Sequence, residues 1–212
     1  MITGGALAYS GGLYAMLGNF DRARELVDHA LAVVEEFKVL NVYPTFERRD
    51  VEMLAGNFVG TEKWLRIETK RLGRLQKWWG LGFVLQASLA GVLCEQERFE
   101  EAERLTEVLP VGAADWVAPH VLWRGARGRA LARLARPDEA IALATEAVAM
   151  AEPTDGLNLR AGAFLDQADV LGACGRDDDA ARSAAAAVEL YERKGNLVMA
   201  ERARLFAASV TA

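Results

Sequence analysis

The chain repeats one short phrase five times: Gly18-Asn19-Phe20-Asp21-Arg22-Ala23, Gly56-Asn57-Phe58-Val59-Gly60-Thr61, Glu97-Arg98-Phe99-Glu100-Glu101-Ala102, Ala135-Arg136-Pro137-Asp138-Glu139-Ala140 and Gly175-Arg176-Asp177-Asp178-Asp179-Ala180. Aligned on the last residue, the copies fall at 23, 61, 102, 140 and 180, spaced 38, 41, 38 and 40. A period of this length belongs to stacked supersecondary units, each burying its apolar face on its neighbours. Five such units use nearly all of the 212 residues.

Each copy has one internal plan: an apolar-periodic stretch, the phrase, then a second periodic stretch. In the first copy Leu7, Ser10, Gly11 and Tyr14 share one face, and Ala23, Leu26, Val27, Ala30 and Val34 form the facing stripe. Gly18, Gly56 and Gly175 can take the left-handed conformation that ends a helix. Asp21, Glu100-Glu101, Asp138-Glu139 and Asp177-Asp178-Asp179 complement the dipole at the start of the next helix, and Pro137 suits a first helical position. No run alternates apolar and polar residues as a strand would.

The spacing therefore predicts an all-α fold, a right-handed solenoid of about five antiparallel helix pairs forming one domain over 1–212. The repeats fall near 4–37, 43–78, 79–110, 115–152 and 157–194. A final helix, 197–209, reads as a cap with Met199, Ala203, Phe206 and Ala207 inward and Glu201, Arg202 and Arg204 on a polar outer face.

Chemistry is sparse. The net charge of −5 argues against global attraction to nucleic acid or anionic membrane. Cys94 and Cys174 sit apart in apolar segments, suggesting neither a disulfide framework nor a zinc cluster. The most apolar run, Gly80 to Cys94, is too short to span a bilayer, and no leader pattern opens the sequence, so a cytoplasmic location is expected. There is no phosphate-cradling Gly-x4-Gly-Lys-Ser/Thr. His29 and His120 have no ligand or nucleophile at useful spacing, and the acidic run at 177–179 reads as a dipole complement. No catalytic residue, cofactor or metal is implied.

Three features remain as candidate surfaces. Lys63, Arg66, Lys70, Arg74 and Lys77 fall on one helix face, which could dock an acidic partner or nucleic acid; the lack of interleaved aromatics favours an ordinary solvated face. Trp64, Trp78, Trp79, Trp116 and Trp123 could line a ligand cavity, although gap-filling between long helices is the simpler reading. The repeat register places Tyr43, Phe46, Asp50, Met53, Val84, Ala87, Gly91, Leu122, Gly125, Arg129, Leu165 and Asp169 on the inner surface. Tyr43, Phe46, Asp50, Met53, Arg129 and Asp169 are its candidate partner contacts.

Gly11-x2-Tyr14 with Ala23 and Ala30, Gly128-x2-Leu131 with Ala140 and Ala147, and Ala168-x2-Leu171 with Ala180 and Ala187 resemble the tetratricopeptide repeat (TPR). The second copy departs from that pattern at Arg48, Glu52 and Thr61. The long period is similar to the stretched repeats of the bacterial transcription activator MalT. The tail from Leu190 to Arg204 resembles the C-terminal end of bacterial cyclase/ATPase and LuxR-type signalling regulators. The resemblance implies a non-enzymatic regulatory module that binds a protein segment, an adjacent domain or another copy of itself along a concave face. A small-molecule effector sensor with a pocket near Trp78, Trp79 and Trp123, or an adaptor working through the basic helix, are the alternatives.

Overall fold

The computed structural model describes residues 2–37, 43–72, 79–107 and 116–210. Among them every regular element is helical: α1 (Ile2–Met16), α2 (Phe20–Glu36), α3 (Tyr43–Leu54), α4 (Phe58–Leu72), α5 (Trp79–Glu95), α6 (Phe99–Thr106), α7 (Val117–Arg133), α8 (Pro137–Ala151), α9 (Leu157–Ala173), α10 (Asp177–Lys194) and α11 (Leu197–Val210). None is long and apolar enough to cross a membrane.

Every copy of the phrase builds the same turn. Its first residue lies in the left-handed region, with φ of 83° at Gly18, 72° at Gly56, 59° at Glu97, 58° at Ala135 and 72° at Gly175. The N–H of the following residue then reaches back five positions: Asn19 to Tyr14, Asn57 to Glu52, Arg98 to Leu93, Arg136 to Leu131 and Arg176 to Leu171, at 2.9–3.0 Å. This reversal satisfies carbonyls that the helix end would leave bare. The next helix starts at once. Asn19 and Asn57 accept a backbone N–H through Oδ1 at 3.3 and 3.0 Å, and the acidic residues and Pro137 stand in first turns. Gly195 (φ 77°) with Asn196 repeats the turn between α10 and α11, so α11 occupies the place of a sixth first helix.

Packing follows the same register. The last residue of the phrase, Ala23, Thr61, Ala102, Ala140 or Ala180, is fully buried in all five copies. Small residues face it: a Cβ on Gly11 would lie 2.6 Å from Val27 Cγ2, and one on Gly128 3.2 Å from the Ala140 carbonyl oxygen. First helices bed against both helices of the preceding pair, as α3 does on α1 and α2, α7 on α5 and α6, and α9 on α7 and α8. The core is accordingly a series of linked clusters. In the second copy polar residues take core positions; Thr61 and Glu68 are satisfied locally, whereas the buried Thr69 hydroxyl has no partner. The Thr61 hydroxyl donates to the Asn57 carbonyl oxygen at 2.8 Å, and buried Glu68 accepts from Arg71 at 2.6 Å. Adjacent pairs are also stapled at the turns, where Arg98 reaches Glu62 and Arg136 reaches Glu103.

Curvature accumulated over five pairs brings the ends together. α11 touches α1. Asn158 Nδ2 stands 3.6 Å from Met16 Sδ, and a Cβ on Gly18 would lie 3.7 Å from Val198 Cγ2. Two expectations need correction here. Arg202 does not lie on a polar outer face: it reaches across the interior to Glu95 of α5 and over the Phe58 ring. This follows because α11 continues the line of inner helices. Tyr14, expected in the core of the first pair, is half-exposed, whereas Gly4, Ala8, Gly11, Gly12 and Ala15 of α1 are buried.

Glu97 and Ala135 hold the left-handed conformation without being glycine, at a cost of roughly 1 kcal/mol each. Glu97→Gly and Ala135→Gly should each raise the melting temperature by about 2–4 °C. Calorimetry checks this, and Gly175→Ala should shift the temperature the opposite way.

Candidate functional site

The inner face is where the sequence register places partner contacts, and its centre is a cluster of charges. Arg129 of α7 bonds Glu95 of α5 at 2.8 Å and Asp169 of α9 at 2.9 Å, with Asp166 at 3.6 Å. Arg133 holds the other oxygen of Asp169 at 2.7 Å, and Arg202 of α11 closes on Glu95. Three guanidinium groups thus meet three carboxylates drawn from four helices. The side chains of Arg129 and Glu95 are only 16% and 10% exposed. Burial opposes the charges of Glu95, Asp169 and Arg129, yet the pairing prevails at each. Glu95 and Asp169 stay ionised below the usual carboxylate range because Arg129, Arg202 and Arg133 attract them, and Arg129 is held firmly protonated. Asp166 is the exception: burial carries it up to about 6 despite Arg129.

Glycines make room for these carboxylates. A Cβ on Gly125 would sit 2.2 Å from Asp166 Oδ2, and one on Gly12 would sit 2.1 Å from Glu47 Oε2. Glu47 and Asp166 stand at one register, fourteen residues before the end of their phrase. Burial and the neighbouring Asp50 raise Glu47 to about 7.

The sequence-predicted contacts divide. Arg129 and Asp169 come together, but with each other. Phe46 and Met53 pack against the core between the second and third pairs. Val84 and Ala87 are buried, and Asp50 is paired with Arg49 at 2.6 Å. Tyr43 stays on the rim, its ring centroid 5.5 Å from that of Tyr9. On the basic helix Arg66 is engaged by Glu62 and Glu101 at 2.8 and 2.5 Å, while Lys63 and Lys70 are exposed. Arg74 and Lys77 lie outside the described residues. Of the tryptophans, Trp123 is buried and donates to the Thr106 carbonyl oxygen at 2.9 Å; Trp64 donates to that of Thr45 at 3.4 Å. Trp78 and the side chain of Trp79 lie outside the description.

A cleft between α3 and α4, bordered by Arg48, Glu52, Asn57, Lys63, Trp64 and Ile67, holds about 180 Å³. That is below the usual range of small-molecule sites, and Glu52 is already occupied by Arg24, Arg48 and Asn57. No group of three or more His, Cys, Asp or Glu among the described residues could hold a metal ion. The Cys94 thiol is buried, and that burial lifts it to about 11.

A second surface was not anticipated. Along α1 the residues Ala6, Tyr9, Leu13, Tyr14 and Leu17 form one continuous exposed arc. Leu13 is 53% exposed, whereas Val51, Val92, Ala130 and Val170 at the same register are at 0%. Tyr14 is 40% exposed, and its counterparts Glu52, Leu93, Leu131 and Leu171 are all buried. In each later pair, this is the face covered by the pair before it.

A scan against protein-family models finds no match, and neither does a search of curated proteins. Among solved structures the chain is similar to a thermophilic TPR protein of Thermus thermophilus, with 20% identity over 97% of each chain and a TM-score of 0.62. That likeness establishes the fold as a TPR-like helical-repeat solenoid.

Removing Arg129 leaves buried carboxylates uncompensated. Arg129→Met should cost about 3–5 kcal/mol in urea unfolding. Glu47 should act in the opposite sense. Its raised value means that the folded chain holds a proton that the unfolded chain has already lost, so its contribution worsens as the pH rises from about 4.5 to 7. Glu47→Gln should therefore be neutral below pH 4 and stabilising by roughly 1–2 kcal/mol above pH 7, read from unfolding at both values.

Proposed function

We propose that the chain is a non-enzymatic protein-interaction module whose contact surface is the uncovered face of α1, extended by the Tyr9–Tyr43 rim. The observation that carries this reading is the register comparison: the positions of Leu13 and Tyr14, buried in every later pair, carry exposed apolar side chains in the first. Residues 1–20 contain no charged side chain at all. An apolar face of this kind is an interaction site rather than an ordinary surface. The inner face is a weaker candidate because its central charges already satisfy one another, and a partner would have to displace Arg202 or break a buried ion pair.

The TPR-like fold and the MalT-like period support a role in bacterial signalling or transcription regulation in the cytoplasm, as the tail from Leu190 to Arg204 also suggests. An effector sensor would need an enclosed pocket near Trp78, Trp79 and Trp123, of which Trp78 and the side chain of Trp79 lie outside the described residues and Trp123 is buried with its indole N–H bonded to the Thr106 carbonyl oxygen.

The test places a photo-activatable crosslinker at Leu17, at Asp50 on the inner face and at Lys70 on the basic helix. Protein adducts should form at Leu17 and be lost when Leu13→Glu is added. Adducts confined to Asp50 would return the function to the inner face, and adducts confined to Lys70 would move it to the basic helix.

A further inference from the structure

We propose that the outer face of α4, in the middle of the array, is a second docking surface, one that takes an acidic amphipathic helix of another protein. Val59, Lys63, Ile67 and Lys70 fall within about 80° of one another around α4, and all four are exposed. Two of them are aliphatic: Val59 is 74% exposed and Ile67 52%. The other second helices carry different residues at these places. At the register of Val59 stand Asp21, Glu100, Asp138 and Asp178, all exposed. At that of Ile67, α2, α8 and α10 carry His29, Glu146 and Ala186.

Charge selects the occupant. Arg66 and Arg71 of α4 are engaged by Glu62, Glu101 and Glu68. Lys63 and Lys70 are exposed and pair with no carboxylate among the described residues. On a chain with a net charge of −5, this stripe is a local reversal of sign. A partner with carboxylates flanking an apolar row would pair with both ammonium groups and cover both aliphatic side chains. Val59, Lys63 and Ile67 lie four residues apart, so they form a ridge that the groove of a second helix can straddle. Beside that ridge opens the cleft between α3 and α4, bordered by Lys63, Trp64 and Ile67. Its 180 Å³ is small for a free ligand but gives room to a single apolar side chain, the kind of anchor on which a helical segment docks.

Two other occupants match less well. Nucleic acid would meet aliphatic rather than aromatic side chains between the lysines, and Glu62 and Glu101 beside them would repel its phosphates. A second copy lacks the complementary face. Among the described residues no large apolar side chain is exposed within α2, α6, α8 or α10. On α11, Glu201 between exposed Leu197 and Leu205 is already held by Arg204 at 3.0 Å. The stripe from Val59 to Lys70 is about 17 Å long, so the contact falls at the small end of specific interfaces and binding is in the micromolar range.

The experiment selects helical peptides the length of α4, 15 residues, from a phage-displayed library on the full chain, then measures the selected peptides by fluorescence anisotropy. They should carry apolar residues at helical spacing flanked by Asp or Glu. Lys63→Glu combined with Lys70→Glu should weaken binding at least about tenfold, and Ile67→Ser about threefold or more, with the circular dichroism and melting temperature unchanged. Replacing the acidic residues of the peptide by Lys should restore binding to the doubly substituted chain. Leu13→Glu on α1 should leave binding intact, which separates this surface from the α1 face. The inference is overturned if no peptide is enriched, if the selected peptides are neutral or basic, or if their binding ignores the α4 substitutions. Two further outcomes also overturn it. Duplex DNA binding that the lysine substitutions abolish would assign the face to nucleic acid. A sedimentation mass above 23.1 kDa that they abolish would assign it to a second copy.

Discussion

One left-handed residue per repeat sets the geometry of this protein. At positions 18, 56, 97, 135 and 175 the chain leaves one helix, closes that helix on its own carbonyls and enters the next helix after a single further residue. The turn leaves no slack, and the alanine or threonine five residues later is buried in every pair. The strength of the constraint is clearest at Glu97 and Ala135, which adopt the conformation at an energetic cost where glycine would do so freely.

Pairs built on one turn and stacked in one register curve, and five of them bring the start of α11 beside the end of α1. The interior produced this way is narrow enough for Arg202 to reach Glu95, 107 positions earlier in the chain. Charges that the repeat pattern points inward are thereby forced to meet one another. Glycines at 12 and 125 leave space for Glu47 and Asp166, and Arg129 ties three inner helices together. An open groove would have been a binding surface; a closed one becomes a buried polar core. The recognition surfaces that remain lie outside that core, on the face of α1 that nothing in the array covers and on the outer stripe of α4.

The helix pairs were legible because their signals are local: the phrase, its acidic first turns, Pro137 and the period. The alanine positions were legible for the same reason. The charge cluster was not, although two of its members, Arg129 and Asp169, fell on the predicted inner face. Their mutual pairing depends on distances between repeats, and no local pattern encodes the curvature that carries Arg202 to Glu95. Arg202 itself was assigned outward because a terminal helix is ordinarily polar on its outside. The face of α1 was hidden by its own regularity, since Leu13 and Tyr14 look like core residues by spacing, and in any later repeat they would be. A sequence signal did exist in the absence of charge from residues 1–20, which reads equally as a buried helix or a covered one.

The claim on which these conclusions turn is that the solenoid closes on itself and fills its inner face. A double-mutant cycle on Glu95→Gln and Arg202→Gln measures it most directly, because α5 and α11 can meet only if the array curves tightly enough to fill its interior. Closure predicts a coupling energy of about 0.5–3 kcal/mol in urea unfolding, as for residues in contact. Additive effects of the two substitutions would mean that α5 and α11 stand apart, and the inner face would then be an open groove available to a partner.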